Sequence, residues 1–106
     1  MPPMSIFLDI LRSKAATLLE KGDQVFLYGS RARNTADEDS DWDLIVITER
    51  EYSFKDSFDK YVYPLVLAGI ERQQDVSVFV YSKNEWEQRK GQPFYNNVSR
   101  DFVLLS

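Results

Sequence analysis

The chain has 106 residues, which is enough for a single domain spanning 1–106 with a modest core and too few for a second one. It carries 13 Lys and Arg against 17 Asp and Glu, a formal net charge of −4, which disfavours a general nucleic-acid-binding surface. Cysteine and histidine are both absent, so disulfides, Ser-His-Asp triads and Cys- or His-ligated metals are excluded and any catalysis must use carboxylates, Lys, Tyr, Ser or a bound metal.

The distribution of apolar residues along the chain predicts a protein without a membrane-spanning segment. No apolar run approaches the ~20 residues of a membrane span, and the segment 1–3 is not the basic start of a signal peptide. We therefore expect a cytoplasmic protein. The first predicted element is an amphipathic helix over residues 4–21, ended by Gly22, because its apolar residues recur with helical spacing.

Two short apolar runs predict the first two strands. Residues 25–28 and 44–47 are continuous, β-branched or aromatic, and suit strands buried on both faces. Ser53 is a suitable N-cap for a second amphipathic helix, which Pro64 should kink or divide because proline lacks an N–H and clashes one turn back. Residues 76–81 predict the third strand.

The last quarter of the chain predicts shorter elements. Ser82 can cap a helix through Trp86, residues 91–93 interrupt it, and residues 94–100 form another helical turn or two. Residues 102–105 are a final strand or a packed tail. This order predicts an α+β fold, an α/β sandwich with a small mixed sheet and helices packed largely on one side.

The segment between the first two strands holds most of the chemistry. Gly29 and Ser30 follow the first strand directly, so a turn can bring backbone N–H groups and the serine hydroxyl to an anion. Asp41 and Asp43 lie two apart at the start of the next strand, where their carboxylates point to one face about 7 Å apart and can converge on a hard cation.

Each of these features also has an ordinary interpretation. An isolated Gly-Ser pair is most often a tight turn, and an isolated Asp-x-Asp pair is most often two surface acids. A calcium loop beginning at Asp39 is rejected, because Leu44 stands at its glycine position and Arg50 at its final glutamate position. The combination of both features in one loop favours a metal and phosphate site.

These residues resemble a known family. Residues 27–33 (LYGSRAR) and 40–46 (SDWDLIV) are similar to the two-part motif of the DNA polymerase beta-type nucleotidyltransferase superfamily in its minimal form. The family has a third Asp on a later strand, and Asp75 stands where that residue would fall. Asn34 departs from the pattern, since the family usually has glycine there. Asparagine tolerates a left-handed backbone, so we expect the turn to survive.

The resemblance implies the nucleotidyltransferase fold and an activity. A magnesium-dependent enzyme would transfer a nucleoside monophosphate, AMP from ATP or the equivalent from another nucleoside triphosphate, to a hydroxyl of a protein or small molecule. Asp41 and Asp43 would bind two Mg²⁺ ions and Asp75 would complete the catalytic metal's shell and help to deprotonate the acceptor. Gly29 and Ser30 would hold the β and γ phosphates.

Other side chains are open to more than one interpretation. Arg31 and Arg33 either neutralise a triphosphate or pair with the acidic loop 37–39. Trp42 points away from Asp41 and Asp43 and should pack, whereas Trp86 and Tyr95 are candidates for a nucleotide or partner surface. Five further aromatic residues are expected in the core: Phe7, Phe54, Phe58, Tyr61 and Phe79.

The resemblance also implies a partner. Minimal members of the family are the smaller half of two-component systems, in which some act as antitoxins by adding AMP to a helical HEPN-type toxin. A homo-oligomer is the other expectation. The rival hypothesis is a catalytically weak or inactive module that binds and masks its partner, which the short chain and Asn34 favour. A third hypothesis is a regulatory domain that binds magnesium-ATP without forming a product.

Overall fold

The computed structural model describes residues 3–106, and it describes side chains from Ile6 onward. Met1 and Pro2, and the side chain of Met4 that was predicted for the apolar face of the first helix, therefore lie outside the described residues. Seven helical segments and four strands follow one another along the described chain. They are α1 (Pro3–Leu18), β1 (Gln24–Tyr28), α2 (Ser30–Arg33), β2 (Trp42–Thr48), α3 (Phe54–Ser57), a π-helical turn (Phe58–Val62), α4 (Tyr63–Ile70), β3 (Val76–Ser82), α5 (Lys83–Glu87), α6 (Pro93–Asp101) and β4 (Val103–Leu104).

The strands form one mixed sheet in the order β3-β2-β1-β4, as the α+β prediction required. β1 pairs antiparallel with β2 and with β4, while β2 and β3 are parallel and joined by the α3–α4 crossover. The final segment is therefore a strand, which settles the alternative of a packed tail. In this register Tyr28 lies opposite Asp43, and Asp43 lies opposite Ser77.

Helices cover both faces of the sheet, so the prediction of one-sided packing is wrong. On one face, α1 and the crossover pack on Val25, Leu44 and Val46. On the other face, Trp86 of α5 and Val98 of α6 pack on a second cluster around strand β2. The physical reason is the composition of β2, whose alternate residues are apolar on both faces and require two covers.

Helix capping follows the sequence closely. The Ser53 hydroxyl accepts the N–H of Asp56 at the start of α3. Ser82 and Glu85 form a complete capping box at the start of α5. The crossover helix is divided as predicted: the π-helical turn ends immediately before α4, which has Pro64 in its first turn, where the missing N–H costs least.

Three of the five aromatic residues predicted for the core are exposed. Phe7 and Tyr61 are buried, but Phe54 is 87% exposed, Phe58 41% and Phe79 45%. Strict helical spacing placed Phe54 and Phe58 on the face of Tyr61, whereas the wider π-helical turn changes the phase between them. Phe79 is exposed because β3 is the outermost strand of the sheet.

A buried carboxylate joins the end of α1 to the sheet and the crossover. Asp23 accepts the Tyr61 hydroxyl at 2.6 Å, the Glu20 N–H at 3.0 Å and the Glu49 N–H at 2.9 Å. Only 9% of Asp23 is exposed. Three donors therefore satisfy a carboxylate that would be costly to bury alone. Within residues 3–106, none of the helices is both long enough and apolar enough for a membrane crossing.

We expect Tyr61→Phe to destabilise the fold, because it removes the hydroxyl donor to buried Asp23. Hydrogen bonds to charged groups contribute about 1.5–3 kcal/mol, and the free energy of unfolding should fall by that amount. Urea denaturation measures the change, with Tyr63→Phe as the matched control, since Tyr63 is 54% exposed. Equal effects of the two substitutions would contradict the role of Asp23 as a junction.

Candidate functional site

The loop after β1 brings a glycine directly against a carboxylate of β2. Gly29 has φ +77°, and a Cβ atom built there would lie 2.5 Å from Oδ2 of Asp43. A side chain at this position would therefore both strain the backbone and collide with Asp43. Gly29 and Asp43, one from each part of the motif, are thus in contact.

The short helix α2 continues from this turn. Gly29 C=O accepts the N–H of Arg33 at 3.0 Å, and Ser30 is partly buried at the first position of α2. Asn34 ends the helix with φ 60° and ψ 35°, and its N–H donates to Ser30 C=O. The prediction that asparagine keeps the left-handed turn in place of glycine is confirmed.

Asp41 and Asp43 lie side by side at the start of β2. Asp41 is exposed and Asp43 is partly buried. Burial raises the pKa of Asp43, the negative charge of Asp41 raises it further, and the positive charge of Arg33 acts in the opposite sense. The two carboxylates therefore repel each other across a site that a cation would stabilise.

Asp75 lies just before the neighbouring strand β3 and, among the described residues, forms no three-carboxylate cluster with Asp41 and Asp43. Its carbonyl oxygen accepts the Trp42 N–H at 2.9 Å, which places Asp75 just before β3 as Asp41 stands just before β2. The Asp75 side chain is exposed. Among the residues that the structure describes, no group of three or more His, Cys, Asp or Glu side chains is arranged to hold a metal ion.

A magnesium ion nevertheless fits the donors that are present. Mg²⁺ is commonly bound by one or two carboxylates together with substrate phosphates and water, rather than by a cage of protein ligands. Asp41 and Asp43 supply two carboxylates, and the raised pKa of Asp43 reports unrelieved burial and like charge. The pair of carboxylates is thus suited to bind a cation.

The two arginines of the loop have different partners. The Arg31 guanidinium donates to Ser40 C=O at 2.9 Å and lies 4.4 Å from the centre of the Trp42 ring, so it braces the loop that leads to Asp41. Arg33 pairs with Asp101 at the end of α6, with 2.7 Å between Nη1 and Oδ2. The ion-pair partner of Arg33 is thus Asp101, which is distant in the chain, and not an acid of the loop 37–39.

The tryptophans show one confirmed and one wrong prediction. Trp42 is 2% exposed, meets Phe7 edge to face and donates its indole N–H to Gln74, so it packs as predicted. Trp86 is only 6% exposed and stacks on Tyr95 with 4.7 Å between ring centres. Its prediction as a nucleotide or partner surface is wrong, because α5 and α6 bury it in the second core.

Sequence reasoning missed Tyr28 as a neighbour of the site. Tyr28 lies opposite Asp43 in the β1–β2 register, and Phe94 of α6 covers its ring edge to face at 5.9 Å. Burial, the charge of Asp43 and Tyr81 together raise the pKa of Tyr28 to about 12, so its hydroxyl stays protonated at neutral pH. The antiparallel pairing of the two predicted strands was the signal that could have identified it.

We expect Gly29→Ala to displace the Asp43 carboxylate and to destabilise the fold. Gly91→Ala is a matched control, because Gly91 also has a positive φ, of +88°, but nothing lies within 4 Å of a Cβ atom there. Both variants are destabilised by about 1 kcal/mol because alanine is strained at a positive φ, and only Gly29→Ala adds a collision with the Asp43 carboxylate. Denaturation should show at least about 1 kcal/mol more destabilisation at position 29. Equal losses would show that the contact with Asp43 is unimportant.

We expect Asp43→Asn to stabilise the chain at neutral pH. The pKa of Asp43 is raised above its ordinary value of 3.8, by burial first and by Asp41 second. Between these two pKa values the folded state therefore binds more protons than the unfolded state. Stability falls through that interval, and the ionised carboxylate weakens the fold above it. Urea denaturation without divalent cations should show a gain at pH 7 that disappears near pH 3. A loss at pH 7 would contradict this electrostatic account.

Comparison with known proteins identifies the family. The model of the nucleotidyltransferase domain family matches residues 4–104. A Sulfolobus solfataricus protein described as a "putative nucleotidyltransferase" has a similar structure, with 22% sequence identity, 95% of this chain and 77% of that chain covered, and a TM-score of 0.53. No curated protein sequence matches significantly. The structural likeness supports the fold, and the match over nearly the whole chain shows that this protein belongs to the nucleotidyltransferase domain family.

Proposed function

We propose that this chain is a magnesium-dependent enzyme that transfers AMP from ATP to a hydroxyl group of a protein or small-molecule acceptor. The observation that carries the proposal is the contact between its two motif parts. Asp43 lies so close to Gly29 that no side chain fits between them. A phosphate bound at the glycine turn would therefore lie beside the carboxylates that attract its counter-cations.

The residues of the loop divide the work of binding the nucleotide. Gly29 has no side chain, so phosphate oxygens can approach the backbone N–H groups of the turn, and the Ser30 hydroxyl is a further donor. Asp41 and Asp43 would hold two Mg²⁺ ions, which neutralise the triphosphate and stabilise the entering and leaving oxygens. Arg33 adds a positive charge near Asp43, and its partner Asp101 keeps it in place.

The proposed reaction is an in-line displacement at the α-phosphorus. The acceptor oxygen forms a bond to that phosphorus while the bond to the oxygen bridging the α and β phosphates breaks, and pyrophosphate leaves. Asp75 is the candidate acceptor of the hydroxyl proton, since it is exposed beside the start of β2. Positioning and electrostatics supply the catalysis, so the few groups of this loop are sufficient.

We further propose that the acceptor or its carrier is a separate protein. The phosphate-binding loop offers few groups for gripping an acceptor, and α4 carries exposed apolar side chains at Tyr63, Leu67 and Ile70. Their spacing forms one stripe along the helix, which suits a helical partner of the HEPN kind. In that arrangement the chain would act as an antitoxin that adds AMP to the toxin.

One observation favours the alternative of an inactive, partner-binding module. In the described residues Asp75 does not join Asp41 and Asp43 in a group that could hold a metal ion. A chain that had lost catalysis could keep the fold and the exposed stripe of α4 as a binding surface. The two proposals differ in whether label is transferred from the nucleotide.

Incubation with ATP labelled on the α-phosphate, magnesium and host lysate tests the proposal. We expect label on one protein or small molecule with the wild type and a loss of at least about 100-fold with Asp41→Asn/Asp43→Asn, which removes both cation ligands. The control Asp56→Asn/Asp59→Asn changes two exposed carboxylates of the crossover and should transfer label normally. Absence of wild-type transfer, with partner binding equal in the Asp41→Asn/Asp43→Asn variant, would establish the binding module instead.

A further inference from the structure

The outer edge of β3 differs from the other edge of the sheet. β3 has seven residues, Val76–Ser82, and no charged residue or proline, whereas β4 at the opposite edge has only two residues. Proteins usually protect an exposed edge with charges, proline, bulges or a short strand, because its unpaired backbone groups can pair with another chain. By this criterion β4 is protected and β3 is open.

The hydrogen bonds of the β2–β3 ladder show which groups of β3 face outward. Asp75 C=O accepts the Trp42 N–H, so the backbone groups of Asp75 and of every second residue after it face β2. Those of Val76, Val78 and Val80 consequently point away from the sheet. Among residues 3–106, no hydrogen bond from outside the sheet reaches the backbone groups of these three valines.

Exposed phenylalanines lie on both sides of this edge. Phe79 is 45% exposed and belongs to the face covered by α6, where it meets Phe94 at 5.5 Å. Phe54 is 87% exposed and lies beside Val80 and Ser82 in a small cavity of about 190 Å³, on the side of the crossover. The open backbone edge is thus bordered by apolar surface, which is unusual for a free edge.

We propose that β3 pairs antiparallel with β3 of a second copy of this chain, forming a two-fold dimer with a continuous eight-stranded sheet. With the two-fold axis at Phe79, Val78 lies opposite Val80 of the other copy, and both present outward backbone groups that can exchange hydrogen bonds. The two copies of Phe79 then become neighbours on one face, which buries the most exposed side chain of the strand.

The distribution of charge along β3 favours a second copy of this chain as its partner. Nothing charged lies within the strand, so self-pairing places no like charges opposite each other. The residues that flank it differ in sign, with Asp75 before the strand and Lys83, which also pairs with Glu49 of its own chain, after it. Antiparallel pairing brings the acidic end of each strand to the basic end of the other, as a self-complementary two-fold interface requires.

The size of the contact predicts a moderate affinity. A seven-residue strand is about 23 Å long, and stable interfaces of standard size bury roughly 800 Å² on each partner. We expect a contact made by one strand edge with Phe79 and Phe54 to be smaller than such an interface, and the dimer therefore to dissociate in the micromolar range. The inference does not depend on nucleotidyl transfer, since it concerns the edge of the sheet.

Sedimentation of the wild type between about 1 and 100 µM tests the dimer. We expect a concentration-dependent dimer, and Phe79→Lys should raise its dissociation constant at least about tenfold, because it replaces the apolar contact at the axis with two like charges. Leu104→Lys is the matched control on the opposite edge, where Leu104 is 52% exposed. A wild type that stays monomeric up to 100 µM, or equal effects of the two substitutions, would overturn the proposal.

Cross-linking tests the register by the formation of a covalent bond rather than by the loss of the dimer. The chain has no cysteine, so Phe79→Cys introduces a single thiol at the proposed axis. Mild oxidation should convert most of this variant to a disulfide-linked dimer, because directly opposed residues of antiparallel strands are within disulfide reach. Leu104→Cys should link at least about tenfold more slowly, by collision alone. Equal rates for the two variants would contradict the register.

Discussion

The contact between Gly29 and Asp43 is the constraint on which the rest of the site depends. It exists because β1 and β2 are antiparallel neighbours, so the end of one strand lies at the beginning of the other. The turn at Gly29, proposed to bind phosphate, and the two carboxylates are separated by an acidic loop in the chain and are thereby brought together. Arg31 braces that loop from Ser40 C=O and Trp42, which positions Asp41 beside Asp43.

The two-sided core explains how so small a chain can hold this arrangement in place. β2 is covered on one face by α1 and the crossover and on the other by α5 and α6, and its residues Leu44, Ile45 and Val46 are completely buried. Asp43 is the second residue of this strand, so the packing of the residues that follow sets its backbone position. The same packing excludes water from one side of its carboxylate, which is the main cause of its raised pKa.

Family and chemistry have different kinds of support. Nearly the whole chain matches the nucleotidyltransferase domain family, and the mixed sheet with its helices agrees with that assignment. The two carboxylates beside the turn at Gly29 suit the proposed magnesium-bound triphosphate, whereas among the described residues Asp75 forms no metal-binding group with them. Asp101 and Tyr28 are additional neighbours, one holding Arg33 and the other lying opposite Asp43.

The sequence by itself determined the local features of this protein: the strand of apolar residues after Asp43, the caps at Ser53 and Ser82, the break before Pro64 and the turn completed by Asn34. Each depends on residues within one or two turns of each other, so short-range rules suffice. Only the tertiary structure decided that Trp86 is buried, that Phe54 and Phe79 are exposed and that Arg33 pairs with Asp101. These outcomes depend on which elements become neighbours, because residues distant in the chain supply the cover, the partner or the open edge.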